Sequence, residues 1–133
     1  MIPFEQFLQL PTDEVAALVR ATGQKVCVFP VNGTRRWFML EHAGEFKGDL
    51  FSDYLGISIK NHVELCSMLF DHGIDTILAP VFGRELMRRG DEYTKRVGID
   101  GLVRTATDPT YREFFAGYNV RVRFYGDYRD VLT

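Results

Sequence analysis

Two adjacent arginines follow an apolar run near the start of the chain, within residues 32–37, whose sequence is Asn-Gly-Thr-Arg-Arg-Trp. The guanidinium groups of Arg35 and Arg36 are permanently charged planar forks, which bind phosphate oxygens in bidentate fashion. Gly33 lets the backbone approach an anion closely, and the Thr34 hydroxyl is a further donor. If a helix begins here, its free amides and dipole add positive potential. The segment predicts a diphosphate-binding loop; a solvated arginine pair beside a core tryptophan is the alternative.

The elements that would position this loop follow from the spacing of apolar residues. Continuous apolar, β-branched runs at 25–31 and 74–82 predict two strands, the first buried on both faces, and residues 120–125 predict a third. Helical spacing predicts a long helix from about Phe51 to His72, ended by Gly73. Further helices are predicted for residues 12–23 with Thr12 or Asp13 as the cap, for 83–106 with a break near 98–101, and for 109–117 after Asp108.

Strands that alternate with helices predict an α/β fold, with a parallel sheet of about three strands and flanking helices. Such sheets bind ligands at the carboxyl ends of their strands. The predicted strands end at the arginine loop, near Arg84 and near Asp127, so we expect these three places to converge on one edge. For Arg84 the alternative is a solvated basic helix face, and for Asp127 it is a turn cap.

The bulk composition indicates a single soluble globular domain, residues 1–133. Apolar residues make up 46% and charged residues 26%, and the net charge of -2 argues against a nucleic-acid binder that depends on bulk charge. There is no apolar run of transmembrane length and no signal-peptide pattern at the N-terminus. Cys27 and Cys66 lack metal-type spacing, which favours free thiols and a cytoplasmic location.

The arginine loop resembles the Asp-Gly-Asn-Gly-Arg-Trp loop of the cis-prenyltransferases. Residues 120–127 are similar to the third strand of that family, which also ends in Gly-Asp. A bacterial diterpene synthase of the same fold is a closer match. The segments similar to it are residues 25–38, 68–76, 89–93 and 124–128, so the resemblance spans nearly the whole chain.

The resemblance implies a prenyl diphosphate substrate and a cis-prenyltransferase-like fold. The reaction would be ionisation of an allylic diphosphate, followed by capture of the cation by water or by a nucleoside-like acceptor, as in a terpene synthase or prenyl transferase. Elongating members carry a phosphate-contacting histidine after their loop, and His42 lies at a similar place. The residues assigned as catalytic are Asn32, Arg35 and Arg36, and those assigned as substrate-binding are Gly33, Thr34, Trp37, His42, Arg84 and Asp127.

Two features depart from the family. Asn32 stands where the family has the aspartate that acts through Mg²⁺ in the elongating enzymes, and an uncharged amide would bind Mg²⁺ weakly. No cofactor is therefore predicted with certainty. The chain also corresponds only to the N-terminal half of the family, and a three-stranded sheet leaves an open edge. The expected partner is a second copy or a complementary C-terminal half. A non-catalytic binding subunit or a truncated remnant is the alternative to an enzyme.

Other chemistry-bearing residues favour structural roles. His62 and Cys66 have the helical spacing of a metal pair, but no further ligand is evident, so we predict that both belong to a buried helix face and that there is no metal site. Phe46, Phe51 and Tyr54 lie on or beside a polar, glycine-containing connection and are candidates for a lid over the isoprenoid.

Overall fold

The computed structural model describes residues 2–31, 33–45, 48–81 and 83–129, with Arg84 and Leu86 described by their backbone alone. The described chain divides into two compact units. Residues 2–31 and 64–81 form the first unit, and residues 33–45, 48–63 and 83–129 form the second. No helix in the described ranges is long and apolar enough to cross a membrane.

The first unit begins with two helices, α1 (Phe4–Phe7) and α2 (Thr12–Ala21). Pro11 is the N-cap residue of α2 and makes no side-chain cap, so Thr12 is the first helical residue instead of the predicted cap. Asp13 and Glu14 lie in the first turn, where carboxylates complement the helix dipole.

A two-stranded parallel sheet completes the first unit, formed by β1 (Val26–Val28) and β2 (Thr76–Leu78). In the register of the pair, Val26, Cys27 and Val28 lie beside Thr76, Ile77 and Leu78 in turn. Just before β1, the amide of Lys25 donates to Asp75 Oδ2 at 2.8 Å. The predicted α/β class, with a parallel sheet and flanking helices, is confirmed.

The prediction that β1 is buried on both faces is wrong. Val26 and Val28 are 59% and 63% exposed, whereas Cys27 between them is half-buried. Burial raises the pKa of the Cys66 thiol, and the Cys27 thiol raises it further. Exposed and half-buried residues thus alternate along the strand.

The predicted third strand is not formed. Residues 121–125 are all exposed and pair with no strand in the described part of the chain. A strand is stable only when its backbone groups form hydrogen bonds with a neighbouring strand. The alternating pattern of this segment is therefore not enough to make it a strand without such a neighbour. The described sheet is smaller than predicted, which is consistent with an incomplete α/β fold.

The long helix α4 (Leu50–Asp71) begins and ends within one residue of its predicted bounds. Gly73 ends it with φ of +94°, a left-handed conformation, and the Ile74 amide donates to the Leu69 carbonyl. A β-carbon at Gly73 would lie 2.8 Å from the carbonyl oxygen of Ala16 in α2. The glycine is therefore required both by the turn and by the close approach of α2.

We expect Gly73→Ala to destabilise the protein more than Gly23→Ala. The two glycines have φ of +94° and +96°, but a β-carbon at Gly23 would meet nothing within 4 Å. Each alanine should cost about 1–2 kcal/mol for the left-handed backbone. Gly73→Ala should cost roughly a further 1–3 kcal/mol for the clash with α2. Urea denaturation of both variants measures the difference. Equal free energies of unfolding would show that α2 moves away from the added β-carbon at no cost in stability.

The second unit is helical. It contains α3 (Thr34–Glu41), the first part of α4, α5 (Arg84–Met87), α6 (Asp91–Tyr93), a π-helical segment (Thr94–Ile99), α7 (Asp100–Thr107) and α8 (Pro109–Gly117). The break predicted near 98–101 lies instead at Gly90, whose φ is +100°. Gly101 faces Leu55, since a β-carbon there would lie 3.8 Å from Leu55 Cδ2. Gly101 lies inside α7 and does not end a helix.

The start of α8 has the predicted capping residues, and three buried side chains form the core of the unit. The Asp108 side chain accepts from the Thr110 amide at 2.9 Å, and Pro109 occupies the first turn, as predicted. The core cluster consists of Phe38, Tyr54 and Leu55, with Ile57 and Val97 packed against it.

His62 should make stability depend on pH. Its Nδ1 shares a hydrogen bond of 2.7 Å with the Tyr111 hydroxyl, and burial lowers the pKa of His62 below its ordinary value. The unfolded chain therefore binds the proton more readily than the folded chain, so the free energy of unfolding falls as pH drops below about 6.5. For one proton the slope is at most about 1.4 kcal/mol per pH unit. Denaturation of His62→Gln between pH 5 and 8 should lack this slope, while His72→Gln, which changes an exposed histidine, should retain it.

Candidate functional site

The arginine loop lies at the N-terminus of α3. Gly33 is the N-cap residue with φ of +74°, and no side chain caps the helix. The first hydrogen bond of the helix runs from the Trp37 amide to the Gly33 carbonyl at 3.0 Å. The amides of residues 34–36 precede it and have no intrahelical partner. A helix N-terminus of this kind attracts anions through its amides and its dipole.

Arg35 and Arg36 occupy the first turn of α3, and both are exposed. The guanidinium carbon of Arg35 lies 5.3 Å from the ring centroid of Tyr93, a buried side chain at the end of α6. This is cation–π distance, so the aromatic ring holds the cation at the surface without neutralising it.

A second guanidinium contacts the same ring. The Arg89 guanidinium carbon lies 5.4 Å from the Tyr93 centroid, and Arg89 Nη1 donates to the Tyr93 hydroxyl at 3.3 Å. Arg35 and Arg89 are thus held on one aromatic side chain. Two like charges so placed repel each other, and an anion that bridges them would relieve that repulsion.

The arginines around Tyr93 and the start of α3 differ in their partners. Arg88 pairs with Glu85 at 3.0 Å, and Arg96 pairs with Asp49 and, at 3.9 Å, with Glu92. In the described ranges, by contrast, neither Arg35 nor Arg36 nor Arg89 forms an ion pair with a carboxylate. These three cations at and near the start of α3 are therefore available to an anionic ligand.

The Thr34 hydroxyl is held by the adjacent helix. Thr34 Oγ1 and the Tyr54 hydroxyl lie 2.7 Å apart, and either can donate. Tyr54 is buried and packs edge-on against Phe38, with ring centroids 5.5 Å apart. This contact fixes the first turn of α3 against the first half of α4.

The lid candidates take different places. Tyr54 belongs to the core of its unit and lies inside α4, not on the polar connection. Phe51 is half-buried between two side chains, with the Tyr93 centroid at 6.2 Å and the Arg96 guanidinium carbon at 4.8 Å. Phe46 lies outside the described residues.

Trp37 and His42 lie further along α3. Trp37 is partly exposed and packs edge-on against the His42 ring at 5.3 Å. His42 follows the last residue of α3, so an eight-residue rise places its backbone roughly 12 Å from Thr34. Its Nδ1 contacts Glu45 Oε2 at 2.9 Å. The structure thus ties His42 to the far end of the helix from the two loop arginines.

The other predicted site residues are Asn32, Arg84 and Asp127. Asn32 lies outside the described residues, and Arg84 begins α5 with only its backbone described. Asp127 is exposed in a bend, and the described part of the chain gives it no hydrogen bond or ion pair. The same part of the chain contains no group of three potential metal ligands.

A shallow groove of about 580 Å³ lies in the first unit, lined by Ile2, Pro3, Phe4 and Phe7. Its described lining is entirely apolar, so it offers no cation to a phosphate group. It does not compete with the start of α3 as an anion site.

Sequence reasoning missed Arg89 and Tyr93 as site residues. Both lie in the segment 89–93 that resembles the diterpene synthase, but the sequence pattern assigns a role to neither of them. The spacing of four residues between them was the available signal, but they lie on opposite sides of the Gly90 break. Only the tertiary fold brings this pair to Arg35.

Comparison with known proteins confirms the expected resemblance. The chain is 38% identical over 132 residues to the tuberculosinyl adenosine transferase of Mycobacterium tuberculosis (strain CDC 1551 / Oshkosh). The similarity covers 99% of this chain but 43% of that protein, so the chain spans less than half the length of its relative. This supports a likeness to the N-terminal half of that transferase. No protein-family model matches the chain.

Proposed function

We propose that the chain binds the diphosphate group of a prenyl diphosphate at the start of α3 and serves a prenyl-type transferase reaction. The observation that carries the proposal is the group of Arg35, Arg36 and Arg89, which lack carboxylate partners in the described chain, beside the free amides of the α3 N-terminus. The relative's name, a transferase that joins a tuberculosinyl group to adenosine, supports the same substrate class.

The proposed chemistry is heterolysis of the allylic carbon–oxygen bond. The bonding electron pair leaves with the diphosphate, and negative charge grows on its oxygens. Guanidinium groups aimed at that charge stabilise the transition state more than the ground state. The allylic cation is then captured by the oxygen of water or a ring nitrogen of an adenosine-like acceptor, and water loses a proton on capture.

The side chains have distinct roles in this scheme. Arg35 and Arg36 bind the leaving group, and Arg89 adds a third cation through its place on Tyr93. The Thr34 hydroxyl, oriented by Tyr54, donates to a phosphate oxygen when the Tyr54 hydroxyl donates to it. The groups gathered here are cations and hydrogen-bond donors, a set that does not fit a Mg²⁺ ion, so no step is assigned to a metal.

One experiment separates an enzyme from a binding subunit. The purified chain is incubated with farnesyl, geranylgeranyl and bicyclic diterpene diphosphates, with and without adenosine, and pyrophosphate release is followed. Release that Arg35→Ala abolishes supports turnover. Arg88→Ala is the matched control, because Arg88 is exposed and paired with Glu85.

The second candidate function is prenyl diphosphate binding without turnover, and Asn32 favours it. An amide carries no charge and cannot act as a base where the related loops have an aspartate. If calorimetry shows saturable binding but neither the native chain nor Asn32→Asp releases pyrophosphate, the chain is a binding subunit. Absence of binding to all three compounds would reject both functions.

A further inference from the structure

Two guanidinium groups from distant segments of the second unit contact the ring of Tyr93. The guanidinium carbon of Arg35 lies 5.3 Å from the ring centroid, and that of Arg89 lies 5.4 Å from it. Because both distances are measured to one centroid, the two guanidinium carbons are separated by at most the sum of the two distances. A hydrogen bond from a guanidinium group to a phosphate oxygen is about 2.7–2.9 Å long. Two linked phosphate groups can therefore bridge the larger part of that range, whereas a single phosphate group bridges only its shorter part.

The place of Arg89 is set by its own segment and does not depend on α3. Arg89 Nη1 donates to the Tyr93 hydroxyl at 3.3 Å, so the guanidinium group lies toward the hydroxyl end of the ring. Gly90, the next residue, has φ of +100° and ψ of 158°, a combination essentially confined to glycine. The backbone turns at this glycine before α6 begins, and Arg89 contacts the ring four residues further along the chain.

The charges on Tyr93 are not balanced by their own unit. Arg88, the residue before Arg89, forms an ion pair with Glu85 at 3.0 Å. In the described part of the second unit, by contrast, no carboxylate lies within ion-pair distance of Arg35 or Arg89. The two cations on the ring therefore repel each other, and an anion that contacts both of them removes that repulsion.

We propose that Arg89 binds the second phosphate group of the diphosphate, and that it is the residue that selects a diphosphate over a monophosphate. Arg35 binds one phosphate group from the first turn of α3, and Arg89 binds the group linked to it at the other contact with the Tyr93 ring. A monophosphate bound to Arg35 leaves Arg89 without an anion, so the repulsion between the two cations is only partly relieved. This inference rests on the proposed diphosphate binding and adds the residue that distinguishes the two classes of ligand.

The test compares inorganic pyrophosphate with inorganic phosphate by isothermal titration calorimetry at one pH and one salt concentration. The native chain should bind pyrophosphate more tightly than phosphate. Arg89→Ala should weaken pyrophosphate binding about tenfold or more, because a charge-assisted hydrogen bond is lost, and phosphate binding by no more than about twofold. Arg89→Lys keeps the charge without the planar group, so its affinity for pyrophosphate should lie between those of the native chain and of Arg89→Ala.

The matched control is Arg88→Ala. Both arginines are exposed, so neither change removes buried surface, but Arg88 is paired with Glu85. The control variant should change the affinity for either anion by no more than about twofold, because salt screens an exposed charge that does not contact the ligand. Circular dichroism checks that each variant is folded.

Two results would overturn the role of Arg89. Equal losses of affinity for pyrophosphate and phosphate in Arg89→Ala would show general attraction without selection, and affinities equal to those of Arg88→Ala would show that Arg89 does not contact the ligand. In either case, loss of pyrophosphate binding in Arg35→Ala would leave the proposed function standing. If the native chain binds neither anion, the proposed function fails and this inference fails with it.

Discussion

Replacing Arg35 and Arg36 together with alanine is expected to weaken prenyl diphosphate binding by about a hundredfold or more. Hydrogen bonds to charged groups contribute roughly 1.5–3 kcal/mol each, which corresponds to about 10- to 100-fold in affinity for each arginine. Both side chains are exposed on the first turn of α3, so the change removes little buried surface and should leave the fold intact. Isothermal titration calorimetry at fixed salt measures the dissociation constant, and circular dichroism checks folding.

The controls distinguish a bound anion from general electrostatic attraction. Arg112→Ala removes an exposed cation from α8, and its effect should be no more than about twofold in 0.15 M salt because distant exposed charges are screened. Arg35→Lys keeps the charge but loses the planar guanidinium group that binds two oxygens at once. Its affinity should therefore lie between those of the native chain and of Arg35→Ala. If the double variant bound as tightly as Arg112→Ala, the start of α3 would not be the diphosphate site.

Arg89 provides an internal test of the cluster geometry. If Arg35 and Arg89 contact the same ligand through their shared position on Tyr93, Arg89→Ala should also weaken binding, and its effect should not add to that of Arg35→Ala. Residues that share a partner show such coupling, whereas distant residues behave additively. A fully additive double variant would indicate that the two guanidinium groups act on separate ligands.

Local chemistry made several elements predictable. The apolar spacing of α4, the C-terminal Gly73 and the Asp108-Pro109 start of α8 all lie in the structure where the sequence placed them. Each depends on interactions between residues close in the chain, namely helical periodicity, a left-handed turn and a side-chain cap. The loop at Gly33 belongs to the same class, because its glycine conformation and the helix that follows are local features.

Features that depend on distant residues were not predictable in the same way. Val26 and Val28 have the composition of a doubly buried strand but are exposed, because burial depends on layers that local composition does not specify. Residues 120–125 alternate like a strand, but strand formation requires a neighbour. The contact of Arg35 with Tyr93 joins segments more than fifty residues apart, a distance over which no sequence spacing carries information.

The largest expected loss of stability follows from Phe38→Ala. Phe38 is 1% exposed and forms the core cluster with Tyr54 and Leu55. Truncation of a buried phenylalanine costs about 3–5 kcal/mol, because apolar contact is lost and a cavity remains. Leu40→Ala is the matched control, since Leu40 lies two residues away on α3 and is 82% exposed. Its free energy of unfolding should change by less than about 0.5 kcal/mol.

The same variant tests how the core supports the site. Phe38 packs on Tyr54, and Tyr54 holds the Thr34 hydroxyl in the first turn of α3. Phe38→Ala should therefore weaken diphosphate binding even at low temperature, where the variant remains folded, while Leu40→Ala binds normally. Loss of stability with unchanged affinity would mean that α3 keeps its place without the contact between Phe38 and Tyr54, and that the loop alone positions the arginines.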